Sequence, residues 1–288
     1  MKKLVSIIIV NFYSSNFLEN CIKSIYEKTK NIEFEIIIAN NSPEDNISYL
    51  NEKYNIKIIE SNINLGFSKA NNLAVKEANG TYILFLNPDT EFLNDVLDIF
   101  INLLESSKFK VCGGELFYTK EIKQESYGNY PSLTQIIFEL GLNKVFKTYY
   151  KKNLSTGIID KEGLIKEVDY VTGANLFIKK DAFEKVKGFD EDFFLYYEDT
   201  ELCFRLKKHN YKIGFIPNAK ILHHLGKSSK DETKKLIIAE KSKYLFFQKS
   251  YGNSYKNLAK LLYLFKYFLA FIITQDNKYL KLIKAIFY

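Results

Sequence analysis

Three groups of polar residues carry the side chains best suited to chemistry in this chain: Asn87-Pro88-Asp89, Glu198-Asp199 and His223-His224. The first directly follows the apolar run Tyr82-Ile83-Leu84-Phe85-Leu86. A buried strand that stops on a carboxylate sets it at the carboxyl edge of a sheet, where open α/β sheets bind ligands. Carboxylate oxygen is a hard ligand suited to Mg2+ or Mn2+, and such an ion suits a diphosphate. An acidic pair offers a general base, and a histidine can bind the same ion. Together they predict a metal-dependent group-transfer site. Taken singly, Asn-Pro-Asp is a common turn and Glu-Asp an ordinary acidic helix start. The prediction therefore rests on the three groups meeting in space.

Residues so far apart need a rigid scaffold to meet. Residues 4–10, 34–39, 56–59 and 82–86 are short, mainly apolar runs. Ser14-Ser15-Asn16 offers helix caps before Phe17, Cys21, Ile22 and Ile25 at helical spacing. Leu65-Gly66-Phe67 leads into a helix over 68–78 that Asn79-Gly80 closes. Buried runs alternating with polar turns and helices predict an α/β fold, a single Rossmann-like, mostly parallel sheet flanked by helices. Residues 119–167 lose this rhythm and are expected as an elaborated loop region with short helices, of the kind that forms lids and binding loops. Order returns at 168–178, with a helix over 200–209 and a strand over 211–216. The expected organisation is a catalytic domain over 1–230, with 119–167 as its variable insertion, and a helical extension over 231–288.

The 288 residues are 47% hydrophobic, enough for a sizeable core. A net charge of +7 suits phosphate-bearing partners or an anionic membrane surface. Nucleic acid is disfavoured, since there is no zinc-finger spacing, basic arm or aromatic RNA-binding signature. Cys21, Cys112 and Cys203 are odd in number and widely spaced, which predicts buried thiols in a reducing compartment. Lys2-Lys3 before residues 4–10 imitates a signal peptide, yet no small-residue cleavage site follows, and a first buried strand is expected. No segment is expected to reach the roughly twenty apolar residues of a membrane-spanning helix. Near the C-terminus, Lys256, Lys260 and Lys266 fall within an arc of about 120°, as do Lys278, Lys281 and Lys284. Such helices lie in a membrane interface or pack on the main domain or a second subunit, and the sequence leaves both open.

In this order the motifs resemble glycosyltransferase family 2, and within it the rhamnosyltransferase-like members that build bacterial surface polysaccharides. The resemblance runs over roughly residues 5–252, apart from 119–167. It is carried by Val5-Ser6-Ile7-Ile8-Ile9-Val10-Asn11, Asn40-Asn41-Ser42, Asn64-Leu65-Gly66-Phe67 with Asn71-Asn72, Leu86-Asn87-Pro88-Asp89, and Thr172-Gly173-Ala174. Further on come Gly188-Phe189-Asp190-Glu191, Phe194-Leu195-Tyr196-Tyr197-Glu198-Asp199, Arg205, and Ala219 through His223 with Ser228. The family implies a GT-A fold and an inverting mechanism. It implies a nucleotide-sugar cleft at Val10, Asn11, Asn40, Asn64, Gly66, Asn72, Asn87, Gly173 and Ala174. Asp89 matches the last carboxylate of the family's metal motif, implying Mn2+ or Mg2+ on the donor diphosphate, and His223 matches the histidine that completes that site, ahead of His224. Asp199 matches the catalytic base, with Glu198 beside it. Asp190 is expected to brace a turn and Arg205 to pair with the acidic segment. Two positions depart: Asn40 stands where members usually carry the Asp that reads the base, and Tyr13 replaces a frequent Asn.

The expected activity is transfer of rhamnose or a hexose from a pyrimidine nucleoside-diphosphate donor to a hydroxyl of a glycan or lipid-linked glycan. The expected place is the cytoplasmic, inner face of the cell membrane, with homo-oligomerisation left open. Two rivals stand beside it: a catalytically decayed nucleotide- or glycan-binding module, and a sugar nucleotidyltransferase. Val10-Asn11-Phe12-Tyr13 after the first strand offers no Gly-rich phosphate loop, which disfavours the latter and a dehydrogenase alike.

Overall fold

The computed structural model describes residues 4–224 and 232–287. Ser228, one of the motif positions, lies outside the described residues. In chain order the elements are β1 (Leu4–Asn11), α1 (Ser15–Lys28), β2 (Glu33–Asn40), α2 (Leu50–Lys53), β3 (Ile56–Glu60), α3 (Gly66–Val75), β4 (Tyr82–Leu86), β5 (Thr90–Phe92), α4 (Val96–Ser106), β6 (Phe109–Phe117) and β7 (Tyr127–Gly128). There follow α5 (Leu133–Ile137), a π-turn (Phe138–Leu142), α6 (Asn143–Val145), α7 (Lys147–Asn153), β8 (Lys166–Val168), β9 (Tyr170–Val171), β10 (Asn175–Lys179), α8 (Lys180–Lys185), α9 (Glu198–Lys208) and β11 (Lys212–His223). Three helices end the chain: α10 (Glu232–Tyr251), α11 (Asn253–Thr274) and α12 (Lys278–Ile286).

Successive residues of β1 feed two cores. Ile7 and Ile9 pack with Leu18, Cys21 and Ile22 of α1 and Phe100 of α4. Ile8 and Val10 pack with Ala70 and Ala74 of α3 on the other face. A strand covered on both sides needs no polar alternation, so its sequence reads as a near-continuous apolar run, broken in β1 by Ser6. The nine-stranded sheet has the order β3-β2-β1-β4-β10-β6-β11-β5, with β8 beside β11. β10 runs antiparallel to both β4 and β6, and β5 and β8 run antiparallel to β11. Six strands thus point one way and three the other, a mixed, mostly parallel sheet flanked by helices, as expected. All three cysteines are buried free thiols.

One expectation changes in the sheet. The strand over 211–216 continues to His223, because a register shift between Ile216 and Lys220 absorbs Pro217 and lets pairing with β6 resume. A bulge is where a sheet tolerates proline. For the C-terminal lysines, where the sequence left membrane and protein packing open, three heads turn to protein. Lys266 pairs with Glu139, Lys260 donates to the Ile286 carbonyl at 2.6 Å, and Lys256 donates to Gln248 Oε1 at 3.0 Å. Each head group has a protein acceptor, so none of the three forms a free basic arc.

The C-terminal helices bury a third core around Phe246, Phe247, Tyr263 and Tyr267, joined by Ile136 and Phe193. Within it Lys243 donates to Glu240 at 2.6 Å and to the Tyr267 hydroxyl at 2.9 Å. Burial pulls the Lys243 ammonium down to about 8, while the Glu240 carboxylate favours the charged form. Contrary to expectation, α11 is long and apolar enough to cross a bilayer by length and composition. One side of it is packed against the protein through Ala259, Tyr263 and Tyr267.

Candidate active site

Strand pairing brings His223 to Asp89. β5 runs antiparallel to β11 with Thr90 opposite His223, and the His224 amide donates to the Asp89 carbonyl at 2.9 Å. His223 Nε2 then lies 3.4 Å from Asp89 Oδ1 and 3.3 Å from Asn87 Nδ2. Gln124 Oε1 lies 2.7 Å from His223 Nδ1. A carbonyl oxygen only accepts, so Nδ1 carries the hydrogen and Nε2 keeps its lone pair. His224 instead lies 2.7 Å from Glu91 Oε1 and stacks on Phe17.

An oxygen and a nitrogen 3.4 Å apart fit one small divalent ion, whose ligands at about 2.1 Å and right angles stand roughly 3 Å from each other. No group of three His, Cys, Asp or Glu side chains forms a metal cluster among the described residues. A two-ligand corner suits an ion whose remaining positions go to phosphate oxygens and water.

The base candidate sits in the first turn of α9. Tyr196 and Tyr197 before it both adopt left-handed backbone, φ +69° and +67°. Non-glycine residues held there mark a conformation imposed by their surroundings. The chain turns sharply, and Asp199 Oδ2 accepts from the Gly173 amide at 2.7 Å. Asp199 Oδ1 accepts from the Thr200 amide at 2.6 Å and hydroxyl at 3.0 Å. A carboxylate offers about four lone-pair positions, so roughly one remains for a proton. Burial raises the Asp199 carboxyl above its ordinary value, against the hydrogen bonds from Gly173 and Thr200. Glu198 is buried, and its Oε2 has no hydrogen-bond partner among the described residues. Burial first, and the Asp199 charge second, push it well above the carboxylate range. Both carboxyls are thus raised, Glu198 by burial and the neighbouring charge, Asp199 by burial against its hydrogen bonds from Gly173 and Thr200.

A single turn joins both corners. Gly173 donates to Asp199, and the carbonyl of Ala174 accepts from the Asn87 amide at 3.1 Å. Phe67 closes in as well: a Cβ on Gly173 would stand 3.4 Å from Asp199 Cβ and 3.5 Å from the Phe67 ring. The Phe67 amide donates to the Phe194 carbonyl at 2.7 Å. Gly66 makes that approach feasible, with φ +79° and the place of its absent Cβ only 2.5 Å from Phe194 O. Gly66→Ala is expected to lower stability by about 2 kcal/mol, read by urea denaturation, and to cut turnover by displacing the loop that leads to Asp199. An unchanged midpoint and kcat would refute the constraint.

The expected nucleotide-cleft residues divide. Asn87, Gly173 and Ala174 belong to the cluster just described. Asn64 is exposed, and its Oδ1 accepts from Asn41 and from the Gly66 amide. Val10 is turned into the core. Asn11 and Asn40 line up across β1 and β2 at the carboxyl edge, yet both are buried and bonded to each other at 2.9 Å. Asn40 Nδ2 also donates to Glu60 Oε2 at 2.8 Å, and Asn11 Nδ2 donates to Asp45 Oδ2 at 3.0 Å. Two carboxylates, Asp45 and Glu60, therefore stand where the chain carries Asn40 in place of an Asp. Asn72 clamps the Phe189 backbone with both ends of its amide, 2.9 and 3.0 Å. Asp190 caps its own turn at the Asp192 amide, and Arg205 pairs with Glu201 at 2.6 Å. Sequence reasoning missed Gln124, Asp45 and Glu60. Gln124 lies in the stretch without motif or period, and Asp45 in a turn of ordinary composition.

Comparison with known proteins bears on the family and the fold. The family profile "Glycosyl transferase family 2" matches residues 6–186, and a second, "N-terminal domain of galactosyltransferase", matches 158–227. Rhamnosyltransferase WbbL of Escherichia coli is 27% identical over 235 residues, covering 77% of this chain and 83% of that protein. N-acetylglucosaminyl-diphospho-decaprenol L-rhamnosyltransferase of Mycobacterium tuberculosis is 24% identical over 266 residues, covering 85% and 84%. Among solved structures, mannosyltransferase PcManGT from Pyrobaculum calidifontis, in complex with GDP-Man and Mn2+, superposes with a TM-score of 0.60 at 12% identity, covering 98% of this chain and 72% of that one. GalNAc-T7, with UDP, GalNAc and Mn2+, superposes with a TM-score of 0.59 at 11% identity, covering 84% of this chain but only 49% of that one. Those likenesses speak for the GT-A-like fold, and the profile match over more than half the chain speaks for descent. The chain belongs to glycosyltransferase family 2 and is a glycosyltransferase that takes its sugar from a nucleotide donor.

Proposed function

We propose an inverting, divalent-metal-dependent transferase that moves rhamnose or a hexose from a pyrimidine nucleoside diphosphate onto a hydroxyl of a glycan or lipid-linked glycan. The setting is surface polysaccharide synthesis at the inner face of the cell membrane. One observation carries the reading: the 172–174 turn anchors Asp199 on one side and the Asn87-Pro88-Asp89 corner on the other. The rhamnosyltransferases among the relatives support the sugar, and the decaprenol-linked substrate in one of their names supports the lipid-linked acceptor.

Asp89 and His223 would hold the metal, which when bound stabilises charge on the departing diphosphate as a Lewis acid. Gln124 keeps the Nε2 lone pair of His223 aimed at that corner. Asp199 removes the proton of the acceptor hydroxyl through its remaining lone pair, while Gly173 and Thr200 hold the carboxylate in place. Burial shifts Glu198 toward its neutral form, and Asp199 is the carboxylate held by the turn that also anchors the metal corner. A single base then implies one displacement with inversion.

A thermal-shift screen with Mn2+ tests the donor. Ligand at a hundred times its Kd adds about 2.7 kcal/mol, which for a chain of this size raises Tm by roughly 5 °C. dTDP-rhamnose or a UDP-hexose is expected to give the largest shift. A larger shift with a GDP-sugar would reject the pyrimidine assignment.

A further inference from the structure

We propose that residues 137–153, together with the outer face of α11, form a docking surface for an anionic lipid bilayer. The segment 140–159 carries Lys144, Lys147, Lys151 and Lys152 and no acidic residue. All four lysines are exposed, and none is ion-paired among the described residues. Between them stand Val145, 74% exposed, Phe146, 54% exposed, and Tyr149. Phe138 packs beneath, its ring 6.3 Å from Phe146 and 5.7 Å from Tyr149, so the aromatic side chains are held in an array. Lysines interleaved with exposed aromatic and aliphatic side chains are the pattern that seats in the headgroup layer.

α11 extends this surface. Leu258, Leu261, Phe265, Phe268 and Ile272 are all exposed. Their spacing of three and four residues makes one stripe about 21 Å long. The Lys266–Glu139 pair ties α11 to the π-turn that begins the basic segment. Because Lys256, Lys260 and Lys266 bond to protein, the positive charge of this face comes from residues 144–152.

A bilayer fits better than a second copy of the chain. A two-fold contact would bring two copies of the same four-lysine patch together, and the one carboxylate of the segment, Glu139, is already paired with Lys266. An anionic leaflet supplies the missing charge. The face adjoins the catalytic end through the third core, where Ile136 of α5 and Tyr197, two residues before Asp199, pack in one cluster with Tyr263 and Tyr267 of α11. The inference does not depend on the identity of the sugar or acceptor, and vesicle binding reads it without turnover.

The test is co-sedimentation of the full chain with phosphatidylcholine vesicles, with and without about 30% phosphatidylglycerol. Binding is expected only to the anionic vesicles at roughly 0.05 M salt, with release at about 0.5 M. Replacing all four lysines by Glu is expected to weaken binding on the order of a hundredfold or more. Phe146→Ser with Leu261→Ser should weaken it while leaving the charge intact. Melting temperatures near that of the wild type exclude unfolding as the cause. Equal binding to neutral vesicles, no binding by the wild type, or undiminished binding by the four-Glu variant each overturns the proposal. So does a dimer in light scattering that Phe265→Ser dissociates while vesicle binding is unchanged, since the face would then belong to a second copy.

Discussion

Asp199→Asn is expected to lower kcat by about 10^3- to 10^4-fold while leaving donor affinity within roughly twofold. Asn keeps the size of the side chain and removes the charge that draws the proton. Its amide can present an oxygen to Gly173 or to Thr200 but not to both, and Asp199 now accepts from each. A stability loss of about 1 kcal/mol is therefore expected alongside the loss of rate. Glu198→Gln separates the two acids. Burial shifts Glu198 toward its neutral form, and the neutral amide is expected to keep most of the activity. The pH profile gives the sign. A base works only when ionised, so kcat/KM is full above the Asp199 pKa and falls as pH drops through it. Burial raises that pKa, which puts the acid limb above the value of a free Asp, about 3.9. The limb should vanish from the residual activity of Asp199→Asn. Should Glu198→Gln prove the more damaging variant, the roles of the pair are reversed.

Much of this scaffold was legible because β1, β2 and β4 are covered on both faces. Burial writes itself into sequence as near-continuous runs of Ile, Leu, Val and Phe, and the turns between carry the motifs. The acidic pair and the Asp89 corner were likewise readable by residue type. What escaped depends on long-range contacts. Nothing near Pro217 announces that β11 resumes beyond it, yet that resumption sets His223 beside Asp89. Gln124 reaches His223 from 99 residues away, out of a segment with no period. Asn40 and Asn72 look like ligand-reading amides, but an amide donates and accepts equally well inside a protein, and both are spent on neighbours. The lysines of α11 sit in the predicted arc and still turn inward, since a flexible four-carbon stem follows whatever acceptor the fold brings near.

Asp89→Ala is expected to abolish the metal-dependent part of donor binding. By isothermal titration, Mn2+ should tighten the wild type's hold on the donor nucleoside diphosphate on the order of a hundredfold, about 2.7 kcal/mol, with no comparable effect in the variant. The fold should survive, since the bond from the His224 amide to residue 89 uses the main-chain carbonyl. Loss of the carboxylate leaves the imidazole of His223 as the remaining ligand of the corner, and one neutral nitrogen holds Mn2+ weakly against water. Gln124→Leu supplies the graded comparison. It keeps both ligands and removes the acceptor on Nδ1, freeing the imidazole to turn or change tautomer. Outer-shell partners of this kind are worth about 10- to 100-fold in metal affinity. The expected order of Mn2+ response is wild type, then Gln124→Leu, then Asp89→Ala. A Gln124→Leu protein that matches the wild type would free His223 from that hold. An Asp89→Ala protein that still gains affinity with Mn2+ would place the ion elsewhere and remove the electrostatic half of the mechanism.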